Sequence, residues 1–129
     1  MALGFHRFGT VAVPPEATEP EQSMQVRLQQ WLAEGYQADM AWMANPKRQD
    51  IRQVMPEVRS VICVALNYYT PHQRPNDPEY GKIARYGWGR DYHRVMHKKL
   101  KQLTLRLQSQ GEDITARYYA DTGPVQDKF

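Results

Sequence analysis

Asp121 is the residue whose setting most invites chemistry. It ends an apolar stretch, Ile114 to Ala120, and enters the turn Asp121-Thr122-Gly123-Pro124. A carboxylate at the C-terminal end of a strand sits where α/β proteins gather their ligands. Walled in by aromatic rings, it would titrate closer to neutral pH and could give up a proton. Left in solvent, it would only bond the backbone of its own turn. His93 and His97 stand i, i+4 and share a helix face, which is two-histidine metal-site spacing. Arg94, Val95 and Met96 lie between them, so the glutamate of a zincin motif is missing and cations surround the pair. The spacing therefore reads His93 as a hydrogen-bonding group at a helix start and His97 as a surface residue. Gly87-Trp88-Gly89 is too poor in glycine for a phosphate loop, and no Lys-Ser/Thr follows it. Two glycines around a tryptophan still let something flat approach the backbone. Arg85, Arg90 and the N-terminus of the following helix are then placed to meet an anion. Ser23, Ser60 and Ser109 have no nucleophile context, and Cys63, inside an apolar run, reads as a small buried hydrophobe.

Charge is unevenly placed. The net value is only +3, yet Lys82, Arg85, Arg90, Arg94, Lys98, Lys99, Lys101 and Arg106 follow one another with Asp91 the only acid among them. Such a block fits nucleic acid, phosphate or a phosphate-bearing cofactor. It equally fits a solvated helix face. The single cysteine excludes a disulfide within the chain, and with it any iron–sulfur or zinc site built from several of the chain's own thiolates. No apolar run approaches the ~20 residues of a membrane span. The N-terminus, interrupted by His6 and Arg7, lacks the apolar core of a secretory signal. A cytoplasmic protein with no membrane partner is expected.

The elements that would position these residues follow from pattern. Phe5 to Val13 reads as a short strand ended by Pro14-Pro15. Pro20-Glu21 opens a helix whose apolar face is Met24, Leu28, Trp31, Leu32 and Tyr36, with Gly35 at its end. A helical turn is expected over Asp39 to Met43, and a turn at Asn45-Pro46-Lys47-Arg48. Val61 to Leu66, apolar on both faces, predicts a central buried strand within 58–69. A Pro-rich loop spans 70–80. A long helix runs from about Asp91 to Gln110, with Tyr92, Met96, Leu100, Leu103 and Leu107 as its stripe and Gly111 as its stop. Ile114 to Ala120 predicts a third strand. The expected fold is α/β, a mixed sheet with flanking helices, incomplete at both ends and forming one domain over residues 1–129.

Several segments resemble the N-terminal half of the epoxyqueuosine reductases. They are Leu3-Gly4-Phe5; Trp31-Leu32 running to Gly35-Tyr36 and Met40-Ala41-Trp42-Met43; Lys47-Arg48 ahead of Pro56; Ser60-Val61-Ile62 with Asn67-Tyr68; Ala84 through His93; and Asp121 through Val125. The last two are specific in combination, since order and spacing also agree. The resemblance implies an oxidoreductase that uses cobalamin and two [4Fe–4S] clusters to reduce epoxyqueuosine to queuosine in the anticodon of tRNA. It implies that residues 1–129 are part of the cobalamin-binding α/β domain, without the ferredoxin-like domain. Asp121 would be the acid that protonates the departing oxygen. Arg48, Ala84, Arg85, Tyr86, Asp91, Tyr92 and His93 would line the cobalamin. The sequence departs from the family in having none of its C-x₂-C-x₂-C-x₃-C-P cluster ligands and in drifting from its pattern at Gln126 to Phe129. The resemblance thus implies a partial chain, inactive alone. The alternative is a cobalamin- or RNA-binding module without catalysis.

Overall fold

The computed structural model describes residues 2–111 and 113–125. The departure at Gln126 to Phe129 lies outside the described residues. Two strands, β1 (Arg7–Ala12) and β2 (Ser60–Ala65), pair with each other, and two helices, α1 (Glu19–Ala33) and α2 (Tyr92–Gln108), accompany them. Bonds from the His6 amide to the Ala65 carbonyl at 2.9 Å, and from the Val13 amide to the Arg59 carbonyl at 2.8 Å, bracket the ladder and make it antiparallel. Short 3₁₀ turns fill the connections at Ala41–Ala44, Pro46–Arg48, Ile51–Gln53 and Arg85–Gly87. The result is a small mixed α/β fold with a two-stranded sheet.

The chain forms two compact units. One takes in Val64–Asp121 and the N-terminal residues up to Phe8, and the other takes in Gly9–Cys63 and the described residues after Asp121. In the first unit, α2 is set by its ends and its stripe. Asp91 is the N-cap, its carboxylate accepting from the His93 amide at 2.9 Å, which satisfies one of the donors a helix start leaves open. Leu100 is buried and Tyr92, Met96, Leu103 and Leu107 are half-buried, as the periodicity predicts. Ala120 is the unit's other buried apolar residue. Lys99 holds the N-terminal stretch by donating from Nζ to the Leu3 carbonyl at 2.6 Å, and its ammonium lies 5.7 Å from the centre of the Phe5 ring.

In the second unit, the Glu21 carboxylate reaches back to the Thr18 amide at 2.7 Å and hydroxyl at 2.9 Å, closing the start of α1. Gly35, at φ +75°, ends the helix in the left-handed conformation expected of a glycine stop. Arg52 is the cross-link of this unit. Its guanidinium donates to the carbonyls of Pro14, Pro15 and Glu16 and to the Asp50 carboxylate, and it lies 3.5 Å from the Glu21 carboxylate. Val13 and Val54 are its buried apolar residues.

Three expectations are corrected. Ile114 to Ala120 is no strand among the described residues, because only two strands form the sheet and this stretch joins neither ladder. The second strand is not buried either: Val61 and Val64 are half-exposed and its other residues are exposed. An apolar run predicts burial only where layers cover both faces, and each strand here has a single neighbour. For the same reason Cys63 is exposed rather than a buried hydrophobe.

Candidate active site

The start of α2 and Asp121 meet in one unit. At the start of the helix, Asp91 bonds the His93 ring as well as its amide, with Nδ1 at 2.8 Å from Oδ1. The other ring nitrogen, Nε2, lies 3.2 Å from Oδ2 of Asp121. The same Oδ2 accepts from the Tyr92 hydroxyl at 2.6 Å. Tyr92 and His93 stack at 4.0 Å between ring centres, so consecutive residues present a hydroxyl and an imidazole to one carboxylate oxygen. Asp121 holds its place with φ at +65°, a left-handed backbone that aspartate tolerates better than most residues.

The electrostatics follow from these bonds. A neutral imidazole can donate from one nitrogen only, whereas the imidazolium donates from both. Two flanking carboxylates therefore favour the charged ring, and His93 is pushed up, first by Asp91 and then by Asp121. Asp121 is held below the usual carboxylate range by the Tyr92 hydroxyl and then by His93. Asp91 is lowered by His93. Tyr92 is pushed up to about 12, chiefly because its proton is shared with Asp121. The condition under which aromatic walls would raise Asp121 is not met. The neighbouring rings bring donors, and the carboxylate stays largely in solvent at 62% exposure.

An aromatic row leads away from the cluster. Tyr92 meets Tyr86 edge-on at 5.9 Å, and Tyr86 meets Tyr68 at 6.4 Å. Beside it, Arg85 donates to the Thr70 carbonyl, and its guanidinium carbon lies 5.1 Å from the Tyr69 ring centre and 5.6 Å from that of Trp88. Trp88 donates from its indole nitrogen to the Ile83 carbonyl at 3.0 Å. Gln73, Arg74, Ile83, Ala84, Arg85 and Trp88 line a shallow cleft of about 300 Å³. Gly89, at φ +95°, releases the chain from this turn toward α2.

Of the residues singled out from the sequence, Asp91, Tyr92, His93 and Asp121 form one hydrogen-bonded cluster. Tyr86 stands against it, and Ala84 and Arg85 belong to the cleft. Arg48 lies in the other unit, its guanidinium 4.3 Å from the centre of the Trp42 ring. His97 is exposed and edge-on to Tyr118 at 5.7 Å. No group of three or more metal-ligating side chains occurs among the described residues. The Tyr92 hydroxyl and the double contact of His93 were not foreseen. The signal available was the Asp-x-His spacing at a helix start, which lets one aspartate cap the backbone and hold the ring.

Comparison with known proteins bears on the family of the chain. The family model described as "Epoxyqueuosine reductase QueG, DUF1730" matches residues 48–122, a span that contains the whole cluster. An epoxyqueuosine reductase from Synechocystis sp. is 64% identical over 115 residues, 89% of this chain and 39% of the relative. One from Atelocyanobacterium thalassa is 52% identical over 126 residues, 98% of this chain and 40% of the relative. One from Gloeobacter violaceus is 48% identical, covering 98% of this chain and 38% of the relative. The chain thus spans about two fifths of the length of the curated relatives it matches. No solved structure matches it. With a family model matched over more than half of its length and relatives 48–64% identical, this chain belongs to the epoxyqueuosine reductase family.

Proposed function

We propose that this chain supplies the proton-handling and cobalamin-facing part of a cytoplasmic reductase that converts epoxyqueuosine to queuosine in the anticodon of tRNA. The observation that carries the reading is the Asp91–His93–Asp121–Tyr92 cluster inside the family-matched span. Turning an epoxide into an alkene breaks two C–O bonds, takes up two electrons and two protons, and releases water. Bound cobalamin would supply the electron pair. The task left to this chain is to bring a proton to the oxygen as it leaves carbon.

His93 is suited to hold that proton. As imidazolium it donates through Nδ1 to Asp91, which fixes the ring, and through Nε2 toward Asp121. Asp121 is then the acceptor that orients the proton and, once it carries it, the acid that would pass it to the departing oxygen. Tyr92 steadies the same oxygen and remains protonated throughout the neutral range. The residues of the cleft fit the edge of a cobalamin. Arg74, Arg85 and Gln73 offer donors to its amide and phosphate fringe, and Trp88 offers a flat wall. The clusters are a different case. [4Fe–4S] centres are held by several thiolates, and Cys63 is the only cysteine here, so any clusters of the working enzyme rest on other cysteines.

Titration of the chain with hydroxocobalamin, followed by visible absorbance, tests the reading. A saturable spectral change is expected for the wild type, unaltered by Asp121→Asn and weakened by Arg85→Ala. Absence of any change with the wild type would overturn the cobalamin assignment. With a cluster-bearing partner polypeptide supplied, Asp121→Asn and His93→Gln are expected to bind cofactor yet lose turnover.

A further inference from the structure

The cluster and the cleft leave one strongly charged surface unexplained. Arg94, Lys98 and Lys101 follow one another at i, i+4 and i+7 on α2, and such spacing puts them on one face. All three are exposed, Arg94 at 91% of its side chain. Lys98 and Lys101 make no ion pair with any described residue, and Arg94 has only Asp91, at 3.9 Å. Arg90, exposed just ahead of the helix, adds a fourth cation. The imbalance extends to the unit as a whole. Its segments hold eleven lysines and arginines against six acids, while in the other unit acids outnumber bases.

Cations gathered on one solvent-facing side repel one another and contribute little to folding, and such a stripe favours an anionic partner. The stripe is about 10 Å long at 1.5 Å per residue. That length covers about three phosphates of one strand in a duplex, at ~3.4 Å of axis each. An anionic membrane fits less well. A helix lying on lipid turns a broad apolar face outward, but α2 packs that face inward on Leu100, and Leu105 is its one exposed large apolar side chain. Exposed rings in the same unit, Tyr68 and Tyr69 at 65% and Tyr86 at 55%, offer stacking surfaces that unpaired bases use and lipid does not.

We propose that the solvent-facing side of α2, carried by Arg94, Lys98 and Lys101 with Arg90 ahead of them, is the surface on which the phosphate backbone of an RNA lies. Identifying that RNA as the tRNA substrate rests on the function proposed above; the surface itself is tested apart from it. Binding of a fluorescein-labelled RNA hairpin is measured by anisotropy across a sodium chloride series. The triple variant R94Q/K98Q/K101Q is compared with the wild type, and R27Q/R59Q, which removes exposed cations of the other unit, serves as the control. Glutamine is a good helix former, and circular dichroism of the triple variant checks that α2 persists.

Each phosphate left without its cation lowers the slope of log K against log salt by about 0.7 to 0.9. The triple variant is therefore expected to drop by about two to three units of slope and at least tenfold in affinity at low salt, and the control to change little. Failure of the wild type to bind the hairpin, or an equal drop in the control, would overturn the proposal. So would wild-type binding to phosphatidylserine vesicles that matches RNA binding and is abolished in the same triple variant. A cobalamin titration that succeeds while the RNA slope is unchanged removes the surface alone. An RNA slope that behaves as expected while cobalamin leaves no spectral trace removes the functional reading alone.

Discussion

Replacing Arg52 by alanine should destabilise the Gly9–Cys63 unit more than any other single surface-derived change. The guanidinium is only 13% exposed and carries bonds of 2.8 to 3.1 Å to three consecutive carbonyls, together with a 2.8 Å bond to Asp50. Hydrogen bonds involving a charged group contribute about 1.5–3 kcal/mol each, against about 0.5–1.5 for neutral pairs. The three carbonyls belong to an accessible Pro14–Glu16 turn and regain water once the side chain is gone, which keeps each penalty near the lower figure. The bond to Asp50 is half-buried, and its removal costs nearer the higher one. Three carbonyls at about 0.5 kcal/mol each and the Asp50 bond at about 1.5–3 give a total of about 3–4.5 kcal/mol, and for a chain of this size each kcal/mol moves Tm by about 3–5 °C. The midpoint of thermal unfolding of Arg52→Ala, followed by circular dichroism, should therefore fall about 9–22 °C below the wild type. Arg52→Lys should recover less than half of that, since one ammonium cannot reproduce a planar fork. A decrease below about 2 °C, or a lysine variant equal to the wild type, would refute the claim that the forked guanidinium fixes this turn.

Other outcomes can be measured at the cluster and the N-terminus. Because the folded state raises the titration of His93, its contribution to stability is complete below about 6.5, the ordinary histidine value, and fades as pH rises through the higher folded value. Asp91→Asn should bring the His93 titration down in an NMR pH series and reduce the fade, and an unmoved titration would remove Asp91 as its cause. Tyr92→Phe should let Asp121 titrate closer to an ordinary aspartate, while in the wild type near-UV absorbance should show Tyr92 ionising near 12. Gly4→Ala should cost about 1–2 kcal/mol, the penalty of a left-handed residue with a Cβ, because Gly4 sits at φ +72° with Lys99 Nζ 2.9 Å from where that carbon would stand. Equal Tm values for the glycine and alanine forms would contradict it.

What the sequence made legible was local. The α2 helix could be read because Asp91 caps it and an apolar residue recurs every turn, and α1 because Pro20, Glu21 and Gly35 mark its ends. Asp121 was found by its place at the end of an apolar stretch beside Gly-Pro. The partners of Asp121 were harder to find, because a tyrosine hydroxyl and a second imidazole contact depend on how a turn after residue 120 returns to residue 92. Arg52 left no trace at all, since its main acceptors are carbonyls 36–38 residues away and every residue has a carbonyl. The misread strand at Ile114 to Ala120 shows the opposite limit. Side-chain pattern reports which residues tolerate an extended backbone, whereas a strand also needs a neighbour with free amides and carbonyls.

The left-handed backbone at Asp121 bears on how this site can be lost. Glycine, asparagine and aspartate tolerate that conformation best, and an aspartate codon becomes an asparagine or glycine codon by a single-nucleotide change. The commonest one-step routes away from the carboxylate therefore relieve or preserve the turn while removing the acid. An allele of that kind would yield a folded protein without the carboxylate, where Ala, Val or Tyr would strain the turn as well. In a mutational survey, position 121 should thus separate cleanly into two classes: quiet for abundance and severe for activity at Asn and Gly, and severe for both elsewhere.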